Sequence, residues 1–325
     1  MKLNTRIAPS PTGFMHIGTA RTAYFNFLAA KASGGTFYLR IDDTDTDREV
    51  EGAVDVILNS LSWLGLDYDS EVIYQSQRKD VYRQWARWLI SIGAAKELDN
   101  GAIALVWQDY MPRVWHDDIA GEMAISDKEA EQIDGLILMK GGDKLGQPIY
   151  HFASVVDDWN RINCIIRGTD HISNTGKQLA IWAAMNRFCE IQNERKTELD
   201  PVHGHFQTPP EFPRIAHVGL IHKNKKKMSK RDAVTDPTIF MAYYQENNYE
   251  PEAVLNFLLR MGWGPTVDDK STTTLPRERA VELFLEGGKM RSAPANFDMA
   301  KLESFNRKYK GMRENALKAT VNAVA

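Results

Sequence analysis

Cysteine is nearly missing from this chain: Cys164 and Cys189 are the only two in 325 residues. Neither has a partner at a spacing used by zinc sites or disulfide frameworks, so both read as buried free thiols. Long apolar runs are absent as well. Nothing approaches the ~20 residues of a membrane-spanning helix, and the opening residues, with Lys2, Asn4 and Arg6, contain no apolar leader stretch. Positive charge is not in excess either. The net charge is −3, which rules out a global cationic field and leaves nucleic-acid contact to local basic patches. There is no internal repeat and no low-complexity segment. The absences together predict a cytoplasmic globular chain without a membrane attachment, of about two to three domains at roughly 100 to 200 residues each.

What is present is concentrated in two segments. The first, Ala8-Pro9-Ser10-Pro11-Thr12-Gly13-Phe14-Met15-His16-Ile17-Gly18-Thr19, is a proline-rich turn followed by a step into an apolar-periodic helix carrying Ala20, Tyr24, Phe27 and Leu28. Free backbone N–H groups and an imidazole at a helix N-terminus suit an anion, and Gly18 leaves room for a nucleotide to approach. The second, Lys227-Met228-Ser229-Lys230-Arg231, sets cations around a small serine after the apolar, strand-like segment Val218-Gly219-Leu220-Ile221. That composition suits a mobile phosphate clamp. The competing readings are a structural histidine at position 16 and a localisation patch or solvated loop for the basic run from Lys223 to Arg231. Co-occurrence of the two segments favours an ATP site over both.

Metal binding is not supported. Asp43-x-Asp45-x-Asp47 opens like a calcium loop, but Arg48 occupies the position that needs glycine and Val54 the position that needs glutamate. His203-x-His205, with His217 and His222, lacks carboxylate or thiolate partners at suitable spacing.

Along the chain, helical and strand periods alternate as in a parallel sheet covered by helices, an α/β fold. A strand ends near Ile7, a helix stops at Gly34-Gly35, Phe37 to Ile41 is a strand, and Val54, Ile57, Leu58, Leu61 and Leu64 form a helical face. A second such half starts at Tyr150 and runs through Val155-Val156, Ile165-Ile166 and a helix from Leu179 to Phe188. After Pro237 the period is helical again up to Gly262. The expected organisation is residues 1–96 and 150–232 as two halves of one domain, 97–149 as an insertion, and 233–325 as a helical region.

The paired segments resemble the two signature motifs of class I aminoacyl-tRNA synthetases, and Arg6-Ile7-Ala8-Pro9-Ser10-Pro11-Thr12-Gly13 resembles the glutamyl-tRNA synthetases. The resemblance covers Thr5 to about Tyr309, including Phe297-Asp298-Met299-Ala300-Lys301-Leu302. It implies a Rossmann-type parallel sheet, an abbreviated inserted acceptor-binding domain at 97–149, a helical stem-contact region at 233–325, and a compact form lacking an anticodon-binding domain. The implied activity is ATP-dependent ligation of L-glutamate to tRNA through a glutamyl-adenylate.

By this resemblance His16, Lys227 and Lys230 are the catalytic set, and Thr12, Gly13, His16, Gly18, Thr19, Asp170, Leu220, Ile221, Met228, Ser229, Lys230 and Arg231 surround ATP, which brings Mg²⁺ on its phosphates. Glutamate falls to Arg6, Ala8, Ser10, Asp42, Tyr150, Ser154 and Arg167, the two arginines supplying the guanidinium that a side-chain carboxylate needs. Thr175 is expected beside the ATP, and Ser173, Asn174 or Thr175 is expected to cap the following helix. Asp42 stands where many relatives carry Glu, and Ser154 where many carry Asn. The implied partner is the acceptor stem of a glutamate or glutamine tRNA, with a separate protein as a possible reader of the anticodon. Alternative readings are an enzyme like the glutamyl-Q tRNA(Asp) synthetases, a glutaminyl enzyme, and a non-catalytic tRNA-binding paralogue.

Overall fold

The computed structural model describes residues 1–45, 49–194, 208–228, 236–266 and 274–324. β1 (Thr5–Ile7) leads through the proline-rich turn into α1 (Ile17–Ser33), whose Ala20, Tyr24, Phe27 and Leu28 are all buried. A helix apolar on nearly every side is one packed on every side. It stops at Gly34, where a φ of 66° provides a left-handed cap and the N–H reaches Lys31 O at 3.2 Å.

β2 (Phe37–Ile41), α2 (Ala53–Trp63) and β3 (Ile73–Tyr74) follow, then α3 (Lys79–Ser91), β4 (Ala95–Glu97), β5 (Ile103–Leu105), β6 (Val114–Asp117), β7 (Gly121–Ala124), α4 (Asp127–Ile133) and β8 (Ile137–Met139). Next come α5 (Tyr150–Asp158), β9 (Cys164–Gly168), α6 (Ile172–Glu194), β10 (Arg214–Val218), β11 (Ile221–Lys223) and β12 (Lys226–Lys227). The remainder is α7 (Met241–Glu246), α8 (Pro251–Arg260), β13 (Trp263–Pro265), α9 (Arg277–Leu283), β14 (Gly288–Met290), β15 (Ala295–Asn296) and α10 (Met299–Val324).

β1, β2 and β3 are parallel neighbours, and β9 and β10 are parallel neighbours. The two groups meet where the amides of Asn163 and Cys164 donate to Asn4 O, both at 3.2 Å. Chain order reverses there, between β1 and β9, and the carboxyl ends of parallel strands at such a switch point open a crevice. Within 97–149, β5 joins β4 and β8 in an antiparallel sheet, whereas the β6–β7 hairpin leaves it and adds to the outer edge of β10.

Side chains alternate across β9 and β10. Cys164, Ile166, Ala216 and Val218 enter a core shared with α1 and α8, while a second core surrounds α3, α5 and α6 and takes in Cys189. Both thiols are free and buried. Among the described residues, no helix is long and apolar enough to cross a membrane.

One local expectation fails. Val218 to Ile221 is not a continuous strand, because the chain breaks at Gly219-Leu220 between β10 and β11. A Cβ at Gly219 would lie 2.0 Å from Ala293 O, so the close crossing of residues 292–293 dictates both the break and the glycine. The start of the basic run is also more ordered than a solvated loop: Asn224 and Lys225 take φ of 52° and 64° and turn β11 back into β12.

Candidate active site

The crevice is a cleft of about 380 Å³. Its lining contains most of the residues picked from the sequence: Arg6, Ala8, Ser10, Thr12, Gly13, His16, Gly18, Thr19, Asp42, Tyr150, Arg167, Asp170, Leu220, Ile221, Lys227 and Met228. Ser229, Lys230 and Arg231 lie outside the described residues. Ser154 is fully buried and off the cleft wall, and sequence reasoning missed Arg21, Arg40 and His171, which all line it.

At one end, His16 is the N-cap of α1. Its Nδ1 accepts from the Gly18 N–H at 2.9 Å, which places the ring proton on Nε2. A Cβ at Gly18 would sit 3.2 Å from that Nδ1, so the glycine protects the cap as well as the approach to the helix N-terminus. Beneath it, Arg21 is buried and spends its guanidinium on two carbonyls, Met261 O at 2.6 Å and Gly219 O at 2.5 Å. Burial pulls its pKa down to about 10. Across the cleft, Lys227 Nζ meets Asp170 Oδ2 at 2.9 Å, both side chains about half exposed. Burial pushes the Asp170 carboxyl upward, but the Lys227 bond and neighbouring positive charge hold it below the usual carboxylate range.

At the other end, Arg40 organises a buried ionic cluster. Its Nε reaches Asp42 Oδ1 at 2.6 Å, Nη1 reaches Asp158 Oδ1 at 2.6 Å, and Nη2 reaches Ser154 Oγ at 3.1 Å. Burial alone would lower the pKa of this guanidinium, yet the Asp42 and Asp158 carboxylates outweigh it and hold the group well above its ordinary value. Asp158 also receives Arg6 Nε at 3.1 and 3.2 Å. The neighbouring Asp157 is taken up by Gln75, Arg78 and Tyr82 at 2.7 to 2.9 Å. Asp42 and Ser154, both expected from the sequence to contact glutamate, therefore meet on one arginine.

Arg167 is held from behind. Its Nε donates to His217 Nε2 at 3.1 Å, Nη1 to Gln178 Oε1 at 2.7 Å and Nη2 to Thr175 Oγ1 at 2.8 Å. Burial lowers its pKa to about 10, so it stays cationic at neutral pH. Thr175 is fully buried, is committed to Arg167 and does not line the cleft. That corrects two expectations, a place beside ATP and a capping role. His171 Nδ1 sits 3.3 Å from the Tyr150 hydroxyl and 3.2 Å from Asn174 Nδ2, and burial depresses its pKa to about 4. Asn174 is thus turned to His171 within the first turn of α6.

Two cations, Arg6 and Arg40, face two anions, Asp42 and Asp158, leaving Arg167 as the surplus positive charge on this wall. A ligand that brings one carboxylate here and a phosphate chain to the α1 N-terminus and Lys227 would neutralise both ends. Among the described residues, no group of three or more His, Cys, Asp or Glu could hold a metal ion.

Comparison with known proteins shows the family. The family model for tRNA synthetases class I (E and Q), catalytic domain, matches residues 2–100, 104–199 and 202–309. Glutamate–tRNA ligase 2 of Rickettsia akari is 34% identical over 351 residues, covering 96% of this chain and 68% of the relative. Glutamate–tRNA ligase of Acholeplasma laidlawii is 35% identical over 323 residues, covering 95% of this chain and 64% of the relative. The chain thus spans about two thirds of the length of these relatives. A solved glutamate tRNA ligase from Elizabethkingia meningosepticum, in complex with its amino acid, superposes with a TM-score of 0.74 at 24% identity, covering 96% of this chain and 70% of that one, and supports the fold. With signature segments, switch-point cleft and relatives in accord, the chain belongs to the class I aminoacyl-tRNA synthetases of the glutamyl and glutaminyl family and stands among its glutamate–tRNA ligases.

Proposed function

We propose that this chain joins L-glutamate to tRNA at the expense of ATP, with Arg6 and Arg167 holding the amino acid and with His16, Lys227 and Lys230 serving the nucleotide. The observation that carries this division is the polarity of the cleft, which has buried arginines at one end and a helix N-terminus facing a lysine at the other.

The α-carboxylate of glutamate is already a nucleophile at neutral pH, so activation calls for in-line placement on the α-phosphorus rather than for a base. Its oxygen bonds to that phosphorus as the bond to the bridging oxygen breaks, and pyrophosphate departs with the electron pair. The His16 Nε2–H, the first amides of α1 and the lysine ammonium groups are donors for the charge that builds on the phosphate oxygens. A ribose hydroxyl of the tRNA terminal adenosine then attacks the acyl carbon and AMP leaves. Any Mg²⁺ in this reaction would enter on the nucleotide phosphates. Glutamine would leave the Arg167 cation unmatched, which discriminates against the amide. Since the substrate is tRNA in use for translation, the reading carries a cytoplasmic location, and the acceptor stem of a glutamate or glutamine tRNA is the partner proposed.

The test is transfer of labelled glutamate to total tRNA with ATP, with the label mapped along the RNA. Label at the 3′ end of a glutamate or glutamine tRNA supports the proposal. Label in the anticodon, or none in any tRNA, overturns it.

A further inference from the structure

Behind Arg167 lies a chain of buried groups that touches no part of the cleft. β9 and β10 run in register so that His217 is the neighbour of Arg167 on the face turned toward α6. The His217 side chain is completely buried, and Asp117, at the end of β6, is 1% exposed. His217 Nδ1 lies 2.6 Å from Asp117 Oδ2, and the His217 backbone N–H donates to the same oxygen at 3.1 Å. Asp117 Oδ1 accepts the amides of Ile119 at 2.9 Å and Ala120 at 2.8 Å. Because the Arg167 Nε–H points at His217 Nε2, Nδ1 is the donor to Asp117, and all four contacts on that carboxyl then come from nitrogens, which suits its ionised form. Burial works to raise its pKa, and the His217 bond and the two turn amides bring it below the ordinary range.

This arrangement fixes the imidazole. Burial lowers the pKa of His217 below that of a free histidine. In the neutral ring Nδ1 carries the proton toward Asp117, and Nε2 is left as a lone pair facing the Arg167 Nε–H at 3.1 Å. The opposite tautomer, or the doubly protonated ring, would set N–H against N–H at that point. The charged and titratable groups around His217 are Asp117 from β6, Arg167 from β9, and Asp170 and His171 from the turn before α6. Thr175 Oγ1 from α6 is 3.3 Å from Nε2, and the Trp115 ring packs edge-on at 5.8 Å between centroids.

We infer that Asp117 and His217 are positioning residues for glutamate recognition: a carboxylate of the β6–β7 hairpin selects the His217 tautomer, and that tautomer orients the Arg167 guanidinium toward the amino acid. The inference rests on the reading of Arg167 as a glutamate ligand. It predicts that the pair governs glutamate affinity and leaves ATP affinity alone, because no member of the relay faces the nucleotide end.

The experiment is steady-state aminoacylation of tRNA by the full chain, measuring KM for glutamate and for ATP separately over pH 5.5 to 7.5. Arg167→Lys tests the underlying reading. His217→Leu, which removes the acceptor, is expected to raise the glutamate KM about tenfold with the ATP KM unchanged. His217→Gln, whose amide oxygen can stand near the Nε2 position, is expected to recover most of that loss. It should also flatten the rise in glutamate KM expected of the natural chain on acidification, as His217 gains a proton opposite Arg167. Asp117→Asn, with an amide NH₂ where only an acceptor fits, is expected to behave like His217→Leu; if it fails to fold, the leucine and glutamine pair still decides. Equal effects on glutamate and ATP, or equal losses in the leucine and glutamine variants, would mean a merely structural role and overturn the inference. No effect of Arg167→Lys on glutamate KM would overturn the reading beneath it, and the inference with it.

Discussion

The two ends of the cleft are built from opposite materials. At the end proposed for glutamate, Asp42, Asp158 and Ser154 are buried and bonded to Arg40 at 2.6 to 3.1 Å, and moving the guanidinium or either carboxylate breaks a buried ion pair. At the nucleotide end, Lys227 and Asp170 form a pair that water reaches from both sides. Buried pairs are rigid because breaking them leaves an uncompensated ion, whereas exposed pairs exchange partners with little change in free energy. On the proposed placement of the two ligands, the difference gives preorganisation to the amino acid and adaptability to the phosphates.

The contrast is broken most severely at its rigid end. Arg40→Leu leaves Asp42 and Asp158 short of a buried cation and is expected to lower stability by about 3–5 kcal/mol, read as a shift in the urea unfolding midpoint. A midpoint near that of the natural chain would show the cluster to be softer than its burial implies. At the nucleotide end a change should strike chemistry and spare the fold. His16→Asn retains an acceptor for the Gly18 N–H but loses the ring donor. We expect kcat to fall about 10²- to 10³-fold with Tm little changed. Lys230→Ala should likewise abolish adenylate formation in a folded chain, and unaltered activity would sink the assignment of that segment.

The acid response sharpens the comparison further. His151 and His171 both have pKa values depressed to about 4 by burial, against 6.5 when free. The unfolded chain therefore binds more protons than the folded one between those values. Stability should decline as pH falls from about 6.5 toward 4, and the double variant His151→Gln, His171→Asn should flatten that slope. Asp117 and Asp170, whose carboxyls are held low, remove further stability only below about pH 4. The smallest effect belongs to the exposed pair. Asp170→Asn should change unfolding free energy by less than ~1 kcal/mol and appear mainly in the KM for ATP. A large loss of stability would mean that the two ends are not so different.

What the sequence disclosed follows the same division. The start of α1 after His16, its end at Gly34 and the strand from Phe37 to Ile41 are local features written in neighbouring residues, and all were legible, whereas the capping bond of His16 Nδ1 was not. So was the convergence of most candidate residues on one cleft, because two short motifs resembled a known pair. The Arg40 cluster and the Asp117–His217–Arg167 relay were not legible. Apart from Asp42, two positions from Arg40, their partners lie 114 to 118 and 50 to 100 positions apart, and nothing local marks Asp117 or Asp158 as bound for a buried arginine or histidine. Thr175 was misplaced for a related reason: a threonine near a helix start looks like a cap, and only the tertiary approach of Arg167 turns it inward.

Arg21 has a bearing on how the molecule is made. Its two terminal nitrogens donate to carbonyls 198 and 240 positions away, at Gly219 and Met261. During synthesis, the helix that begins the nucleotide end emerges long before either acceptor exists. Until residue 261 has left the ribosome, that helix carries a cation it cannot bury. The crevice is therefore among the last parts of this chain to be completed. A shorter version that stops at residue 231 would keep both signature segments and still lack the Met261 carbonyl that holds Arg21 beneath them.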